Sequence, residues 1–131
     1  MFELADIDYV DTYKAMEALL TTGKVRAIGV SNFNIRRLED LLSRTKTVPA
    51  CNQVEAHPYL LQPELLAFCK QHDILLEAYS PLGNNQSGEP RTVDDPLVHE
   101  VAKEVGMDPG VLLGSWGVQR GHVVLPKRYV L

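Results

Sequence analysis

Helical patterns alternate with short apolar segments along nearly the whole chain, and this alternation restricts the fold more than any other feature of the sequence. Strand patterns occur at residues 24–30, 50–56, 74–79 and 122–125, with helical patterns between them. Residues 74–79 form a nearly continuous apolar run, which is typical of a parallel strand covered on both faces. Strands that are joined by helices run parallel, with right-handed crossovers. The sequence therefore predicts an α/β fold with four parallel strands.

Capping residues predict where the helices begin and end. The residues expected at the helix starts are Asp11 or Thr12, Asn34, Pro63, Asp95-Pro96 and Asp108-Pro109. Gly23 is expected to end the first helix, over residues 11–22, in a left-handed conformation, and Gly121 to end the last. Residues 84–94 have no apolar period and are predicted to form a long loop, a kind of segment that is often functional.

Composition and charge exclude several classes of protein. Of the 131 residues, 45% are apolar and 23% are charged, which favours a packed core over disorder. The net charge of -4 argues against a nucleic-acid-binding surface, which needs clustered basic residues. The sequence has neither a signal-peptide pattern nor an apolar run of about 18 residues, so we expect a cytoplasmic protein without a membrane segment. Cys51 and Cys69 are expected to be reduced thiols.

Polar and aromatic side chains follow the predicted strands, at the edge where parallel α/β sheets bind their ligands. Ser31, Asn32 and Gln53 offer hydroxyl and amide groups that suit a carboxamide. Tyr79 offers an aromatic face on which a planar ring can stack. The turn at residues 80–83 offers backbone donors to a phosphate. Together these groups suit a dinucleotide that lies across the end of the sheet.

Two basic residues, Lys127 and Arg128, follow the last predicted strand and suit a terminal phosphate. The chain has no GxxxxGKS/T or GxGxxG motif, so neither a P-loop nor a Rossmann site is predicted. Its histidines and cysteines lack the spacing of metal ligands. We interpret His57-Pro58 as a turn rather than as a proton donor. Because polar residues commonly follow strands, a plain structural interpretation stays open beside the dinucleotide site.

Five segments carry motifs in a fixed order. They are TYKAME at residues 12–17, GKVRAIGVSNF at 23–33, NQVEAHPYL at 52–60, AYSPLG at 78–83 and VVLPK at 123–127. In this order and spacing, the segments resemble the aldo-keto reductase family over residues 5–127. That family is a (β/α)₈ barrel that uses NAD(P)H to reduce aldehydes and ketones, so the resemblance implies this fold and this chemistry.

The resemblance also implies individual contacts with a nicotinamide cofactor. Ser31, Asn32 and Gln53 would hold the carboxamide, Tyr79 would stack on the nicotinamide ring, Ser80 and Leu82 would contact the pyrophosphate, and Lys127 would meet the 2′-phosphate of NADPH. The loop after Gly83 resembles the segment that folds over the bound cofactor. The family's proton-donating Tyr and its partner Lys, Asp and His lie in the first four strand–helix units, which nothing in this sequence matches. The resemblance therefore implies neither a catalytic residue nor a metal in this chain.

The chain departs from the family in length. A complete barrel of this kind needs about 250 residues, and this chain has 131. We therefore expect residues 1–131 to form a partial NADP-dependent oxidoreductase domain, with roughly the last four strand–helix units of a TIM barrel. In the family, the segment after Pro126-Lys127 leads into a helix that holds the adenine phosphate, so we expect an incomplete adenine site here.

Several functions are open to such a chain. As an NADP(H)-dependent carbonyl oxidoreductase it lacks the proton donor, and we expect it to be inactive alone. As a non-catalytic unit it would bind NADP(H) weakly, with Lys127 favouring NADPH over NADH. As a structural or interaction fragment it would self-associate through the open edges of its sheet. As a truncated gene product it would have no stable role. A small carbonyl substrate is implied by the family only.

Overall fold

A computed structural model describes residues 6–85, 88 and 90–127 of the chain. The helices in this part are α1 (Tyr9–Leu20), α2 (Ile35–Arg44), α3 (Pro63–Gln71), α4 (Pro96–Glu104) and α5 (Pro109–Gln119). The strands are β1 (Val30–Ser31), β2 (Cys51–Glu55), β3 (Leu75–Tyr79) and β4 (Val123–Val124). A short 3₁₀ helix, Thr92–Asp94, precedes α4. Among the described residues, no helix combines the length and apolar character needed to cross a membrane.

The four strands form one parallel sheet in the order β1-β2-β3-β4. Val30 lies opposite Asn52, and the ladder between β2 and β3 runs from Cys51 opposite Leu75 to Glu55 opposite Tyr79. Each strand is followed in space by its neighbour in sequence, with helices between them, as in successive units of a (β/α)₈ barrel. The prediction of a parallel α/β fold that forms part of a TIM barrel is therefore confirmed.

The first and last strands are shorter than the sequence predicts. The first was predicted over residues 24–30, whereas β1 is only Val30–Ser31. The register explains the difference, because β2 begins at Cys51, which lies opposite Gly29. Residues 24–28 therefore lie before the part of the chain that β2 runs beside. One backbone hydrogen bond still joins this segment to the residue before β2, from the Ala50 N–H to the Ile28 carbonyl at 2.8 Å. The last strand was predicted over residues 122–125 and is Val123–Val124.

The start of α1 also differs from the prediction. The sequence points to Asp11 or Thr12 as the N-cap, but the helix begins at Tyr9 and Asp8 caps it, accepting a hydrogen bond from the Val10 N–H at 2.9 Å. Starting one turn earlier buries Val10 completely in the core. The pattern of capping alone could not decide between Asp8, Asp11 and Thr12, because all three are good caps.

The other predicted helix starts are confirmed. Asn34 accepts from the Arg37 N–H at 2.9 Å, and Asp95 and Asp108 accept from the N–H groups two residues onward at 2.7 and 2.8 Å. Gly23 and Gly121 follow their helices with positive φ angles of 70° and 90°. Pro63, Pro96 and Pro109 occupy the first helical turn, where a missing N–H costs nothing.

One face of the sheet packs against the helices. Alternation along β2 turns Asn52 and Val54 toward them, and both are buried. The core against this face is a cluster of buried side chains: Leu38, Val54, Leu65, Cys69, Ile74 and Leu76. A second cluster contains Val10, Tyr13, Ile28 and Leu41. Both cysteines are free thiols, as expected, with Cys69 buried and Cys51 half-buried.

Polar contacts tie α1 to α2 at the surface. The Tyr9 hydroxyl donates to Asp40 Oδ2 at 2.6 Å, and Arg44 bridges Asp40 and Asp8 at 3.1 and 2.6 Å. The hydrogen bond from Tyr9, followed in importance by Arg44, lowers the pKa of Asp40. The two helices are thus joined by charge-assisted hydrogen bonds as well as by the core.

Candidate functional site

The residues proposed to hold a carboxamide converge at the carboxyl end of the sheet. The Asn32 N–H and the Ser31 hydroxyl both donate to the Gln53 carbonyl, each at 2.9 Å. The Tyr79 hydroxyl donates to Asn32 Oδ1 at 3.2 Å, which joins the ends of β1 and β3. The parallel register brings these residues together from three strands, since Ser31 lies opposite Gln53 and β3 runs directly beside β2.

Asn32 adopts a left-handed conformation with φ of 58°. Asparagine tolerates this region better than most residues because its short polar side chain can hydrogen-bond locally. Its side-chain oxygen is thereby available to the Tyr79 hydroxyl.

The predicted turn after β3 is present and tightly held. Ser80 has φ of 47° and Gly83 has φ of 77°, and the Gly83 N–H donates to the Ser80 carbonyl at 2.8 Å. The Leu82 carbonyl accepts from the Val93 N–H at 2.9 Å, which docks the turn on the 3₁₀ helix. Ser80 and Leu82 are both half-buried. The turn therefore has a fixed shape beside Tyr79.

Gly83 lies against Thr92 with no room for a side chain. A Cβ at position 83 would overlap the Thr92 backbone nitrogen and would lie 2.6 Å from Thr92 Oγ1. The position thus requires glycine twice, for its positive φ and for the close approach. This contact fixes where the loop after the turn begins.

Lys127 lies three residues beyond β4 and is exposed. The Leu125 N–H donates to the Ala78 carbonyl at 3.0 Å, so the segment that leads to Lys127 follows β3 toward the same end of the sheet. Arg128, the second basic residue of the sequence interpretation, is outside the described residues, as are three positions of the loop at 86, 87 and 89.

Sequence reasoning missed a network around Glu55. Glu55 Oε1 accepts from Asn84 Nδ2 at 2.5 Å and from His57 Nε2 at 3.2 Å. His57 also closes a turn, because it exchanges backbone hydrogen bonds with Leu60 at 3.3 and 2.8 Å. The available signal was spacing, since Glu55 follows Gln53 by two residues and therefore lies on the same face of β2.

The face of the sheet that points away from the helices is acidic. Glu55 and Glu77 lie on it, and Gln53 Nε2 donates to Glu77 Oε2 at 2.9 Å. Burial, with the neighbouring Glu77 carboxylate, raises the pKa of the Cys51 thiol on the same face. None of the described residues of β1 to β4 on this face is basic. The face can donate and accept hydrogen bonds but offers no cation.

Three tyrosines have raised pKa values, and the described residues contain no cluster of metal ligands. Burial raises the pKa of Tyr13 to about 12, and hydrogen bonds to Asp40 and Asp95 raise the pKa values of Tyr9 and Tyr59. A tyrosine that serves as a proton donor near neutral pH needs a shift in the opposite direction. Within the described ranges, no three His, Cys, Asp or Glu side chains are grouped as metal ligands.

Comparison with known proteins agrees with these features. The profile of the aldo/keto reductase family matches residues 3–128. Glycerol 2-dehydrogenase (NADP(+)) of Saccharomyces cerevisiae is 46% identical over 127 residues, which cover 95% of this chain and 40% of that protein. Its namesake from Hypocrea jecorina is 50% identical over 120 residues, 88% of this chain and 37% of the relative. Aldo-keto reductase family 1 member A1 of Pongo abelii is 44% identical over 124 residues, covering 91% and 38%.

The chain spans about 40% of the length of the curated relatives that it matches. The match covers nearly all of the chain itself, and it includes the strand ends that carry Ser31, Gln53 and Tyr79. The parallel sheet with helices on one face is the architecture expected of that family's barrel. This chain belongs to the aldo/keto reductase family.

Proposed function

We propose that this chain supplies the nicotinamide-binding part of an NADP(H)-dependent carbonyl oxidoreductase, and that residues 1–131 act as one partial domain of that enzyme. The observation that carries the proposal is the convergence of Ser31, Asn32, Gln53 and Tyr79, joined by the hydrogen bond from Tyr79 to Asn32. The names of two relatives specify NADP(+) as cofactor, which supports the choice of nucleotide. The substrate class, a small aldehyde or ketone, follows from the family.

The donor set fits a nicotinamide. Hydroxyl and amide groups of Ser31, Asn32 and Gln53 match the donor and acceptor of a carboxamide, and the Tyr79 ring matches a planar heterocycle. NADP(H) supplies the hydride when bound; the residues of this chain bind and orient it. The acidic face indicates that the phosphates lie elsewhere, because the carboxylates of Glu55 and Glu77 would repel them wherever water does not screen the charges. The pyrophosphate would therefore lie over the turn formed by residues 80–83, with Lys127 near the 2′-phosphate.

Cofactor titration tests this proposal directly. We expect weak binding of NADPH, because a partial site encloses less of the ligand. Tyr79→Ala should weaken binding by about 1 kcal/mol through lost stacking. Lys127→Ala should remove the preference for NADPH over NADH. A charge-assisted phosphate contact contributes about 1.5–3 kcal/mol when it is shielded from water, and less where it is exposed as here. Lys24→Ala, an exposed lysine far from the site in sequence, is the matched control.

The readout is the fluorescence of the reduced cofactor, measured with both nucleotides on each variant. Equal affinity of the unaltered chain for NADPH and NADH would remove the assigned role of Lys127. Binding that is insensitive to Tyr79→Ala would place the ligand at a different site.

We propose further that this chain alone does not catalyse the reduction of carbonyl substrates. Carbonyl reduction needs a proton donor to the oxygen that receives negative charge. The tyrosines with shifted pKa values are all shifted upward, and the family's donor lies in units that this sequence does not match. The purified chain should leave a panel of aldehydes, such as nitrobenzaldehyde, unreduced by NADPH. Turnover comparable to that of a full-length aldo-keto reductase, and abolished by Tyr79→Ala, would contradict the proposal.

One observation favours a second candidate, an interaction role. Leu75, Val123 and Leu125 on β3, on β4 and just beyond it are 56%, 38% and 42% exposed. Parallel sheets are normally covered on both faces, so these side chains suit contact with another protein surface. Light scattering after size exclusion tests this role. If the chain is monomeric at every concentration, self-association through the sheet face that carries Leu75, Val123 and Leu125 is excluded.

A further inference from the structure

Three segments of the chain meet at the Glu55 carboxylate. Glu55 is the last residue of β2, His57 lies in the turn that follows, and Asn84 is the first residue after the turn at 80–83. The Asn84 amide donates at 2.5 Å and the His57 imidazole at 3.2 Å, both to the same oxygen. The Glu55 side chain is 27% exposed, so these hydrogen bonds are partly shielded from water.

The carboxylate lies beside the proposed cofactor site. Glu55 is the ladder partner of Tyr79, and both point to the face opposite the helices. Adjacent parallel strands are about 4.8 Å apart, so the two side chains are direct neighbours. Glu55 also contacts the β2–α3 segment through its backbone, because its carbonyl accepts from Gln62 Nε2 at 3.3 Å.

The turn that precedes Asn84 needs support from outside. Ser80 and Gly83 both have positive φ angles, and a non-glycine residue such as Ser80 adopts that region at a cost. One support is the 3₁₀ helix, which contacts the turn through Val93 N–H and Thr92. The hydrogen bond from Asn84 to Glu55 is a second support.

We propose that Glu55 is a positioning residue that holds the turn formed by residues 80–83 in its cofactor-binding shape through Asn84. This inference rests on the proposed function, because the turn is the part of the site assigned to the pyrophosphate. Glu55 acts as a hydrogen-bond acceptor here. As a negative charge it would repel the cofactor phosphates, so its contribution through geometry and its contribution through charge have opposite signs.

This opposition provides a sharp test. Glu55→Ala removes both the acceptor and the charge, whereas Glu55→Gln keeps an acceptor oxygen and removes the charge alone. Positioning requires Glu55→Ala to weaken NADPH binding by about tenfold, because the ligand must then order the turn itself. Glu55→Gln should bind NADPH at least as tightly as the unaltered chain. Glu39 is an exposed glutamate on α2, so Glu39→Ala is the matched control and should leave NADPH binding unchanged.

A second measurement needs no cofactor. The Gly83 N–H donates to the Ser80 carbonyl, so its hydrogen exchange, measured by NMR, reports opening of the turn. Glu55→Ala and Asn84→Ala should each speed this exchange by about tenfold, and the double variant by no more than either alone. Unchanged exchange in both single variants overturns the inference.

The two measurements separate this inference from the proposed function. Faster exchange with NADPH affinity unchanged in Glu55→Ala overturns the role of Glu55 at the cofactor site and leaves the proposed function intact. Equal weakening in Glu55→Ala and Glu55→Gln overturns it as well, because the acceptor oxygen that Glu55→Gln retains would then contribute nothing to binding. If the unaltered chain binds no NADPH, the proposed function fails, and the positioning role at that site fails with it even if exchange shows that Glu55 holds the turn.

Discussion

Replacing Gly83 by alanine should destabilise the chain through two separable effects. The first is conformational, because φ at this position is 77° and an L-residue in the left-handed region costs about 1 kcal/mol. The second is steric, because the new Cβ would overlap the Thr92 backbone nitrogen and lie 2.6 Å from Thr92 Oγ1. Overpacking of this kind adds about 1–3 kcal/mol. The expected loss is therefore about 2–4 kcal/mol in the free energy of unfolding.

Gly106→Ala provides the matched control. Gly106 has φ of 70°, and a Cβ there would meet nothing within 4 Å, so only the conformational cost of about 1 kcal/mol applies. Adding Thr92→Ala to Gly83→Ala should rescue little, because the closest clash is with the backbone of residue 92.

Urea unfolding of the variants, followed by circular dichroism at pH 7, measures these differences. A Gly83→Ala variant no less stable than Gly106→Ala would refute the argument from the close approach. Full rescue by Thr92→Ala would refute the assignment of the clash to the backbone.

Substitutions at three further residues give testable predictions. Tyr13 is 2% exposed with an unpartnered hydroxyl, so Tyr13→Phe should raise stability by about 1 kcal/mol. Burial raises the pKa of Tyr13 from 10.0 to about 12, so the unfolded chain loses this proton first and stability falls from pH 10 to 12. In urea titrations this fall should be shallower in Tyr13→Phe, and an unchanged slope would contradict the raised pKa. Gly117→Ala places a Cβ 2.8 Å from Val124 Cγ2, so it should cost about 1–2 kcal/mol in thermal unfolding. Val124→Ala should relieve this loss, and a Gly117→Ala variant as stable as the unaltered chain would contradict the steric argument. Tyr9→Phe should raise the pKa of Asp40 toward its ordinary value of 3.8 in carbon-13 NMR titration, and an unchanged pKa would show that the hydrogen bond is absent in solution.

The candidate site was predictable to the extent that it depends on strand ends. Parallel strands place their carboxyl ends at one edge, so the positions of Ser31, Gln53 and Tyr79 in the sequence were enough to predict that they meet. The hydrogen bond between Tyr79 and Asn32 was not predictable, because residues 32 and 79 are distant in sequence and the bond depends on the left-handed conformation of Asn32. The cofactor roles themselves stay a prediction.

Local chemistry determined the order of the elements. Asn34, Asp95 and Asp108 cap their helices through hydrogen bonds to N–H groups two or three residues away, so the sequence alone contains both partners. The apolar run at residues 74–79 likewise contains its own evidence for a buried strand.

Only the tertiary structure decided how far the strands extend and what supports the site. β1 begins only at Val30, opposite Asn52, because a strand needs a partner for its backbone hydrogen bonds and β2 begins only at Cys51. The contact of Glu55 with Asn84 joins residues 29 positions apart. Gly83 fits against Thr92 because the loop returns to it. Such contacts depend on where distant segments pack, and a local pattern in the sequence carries no information about that distance.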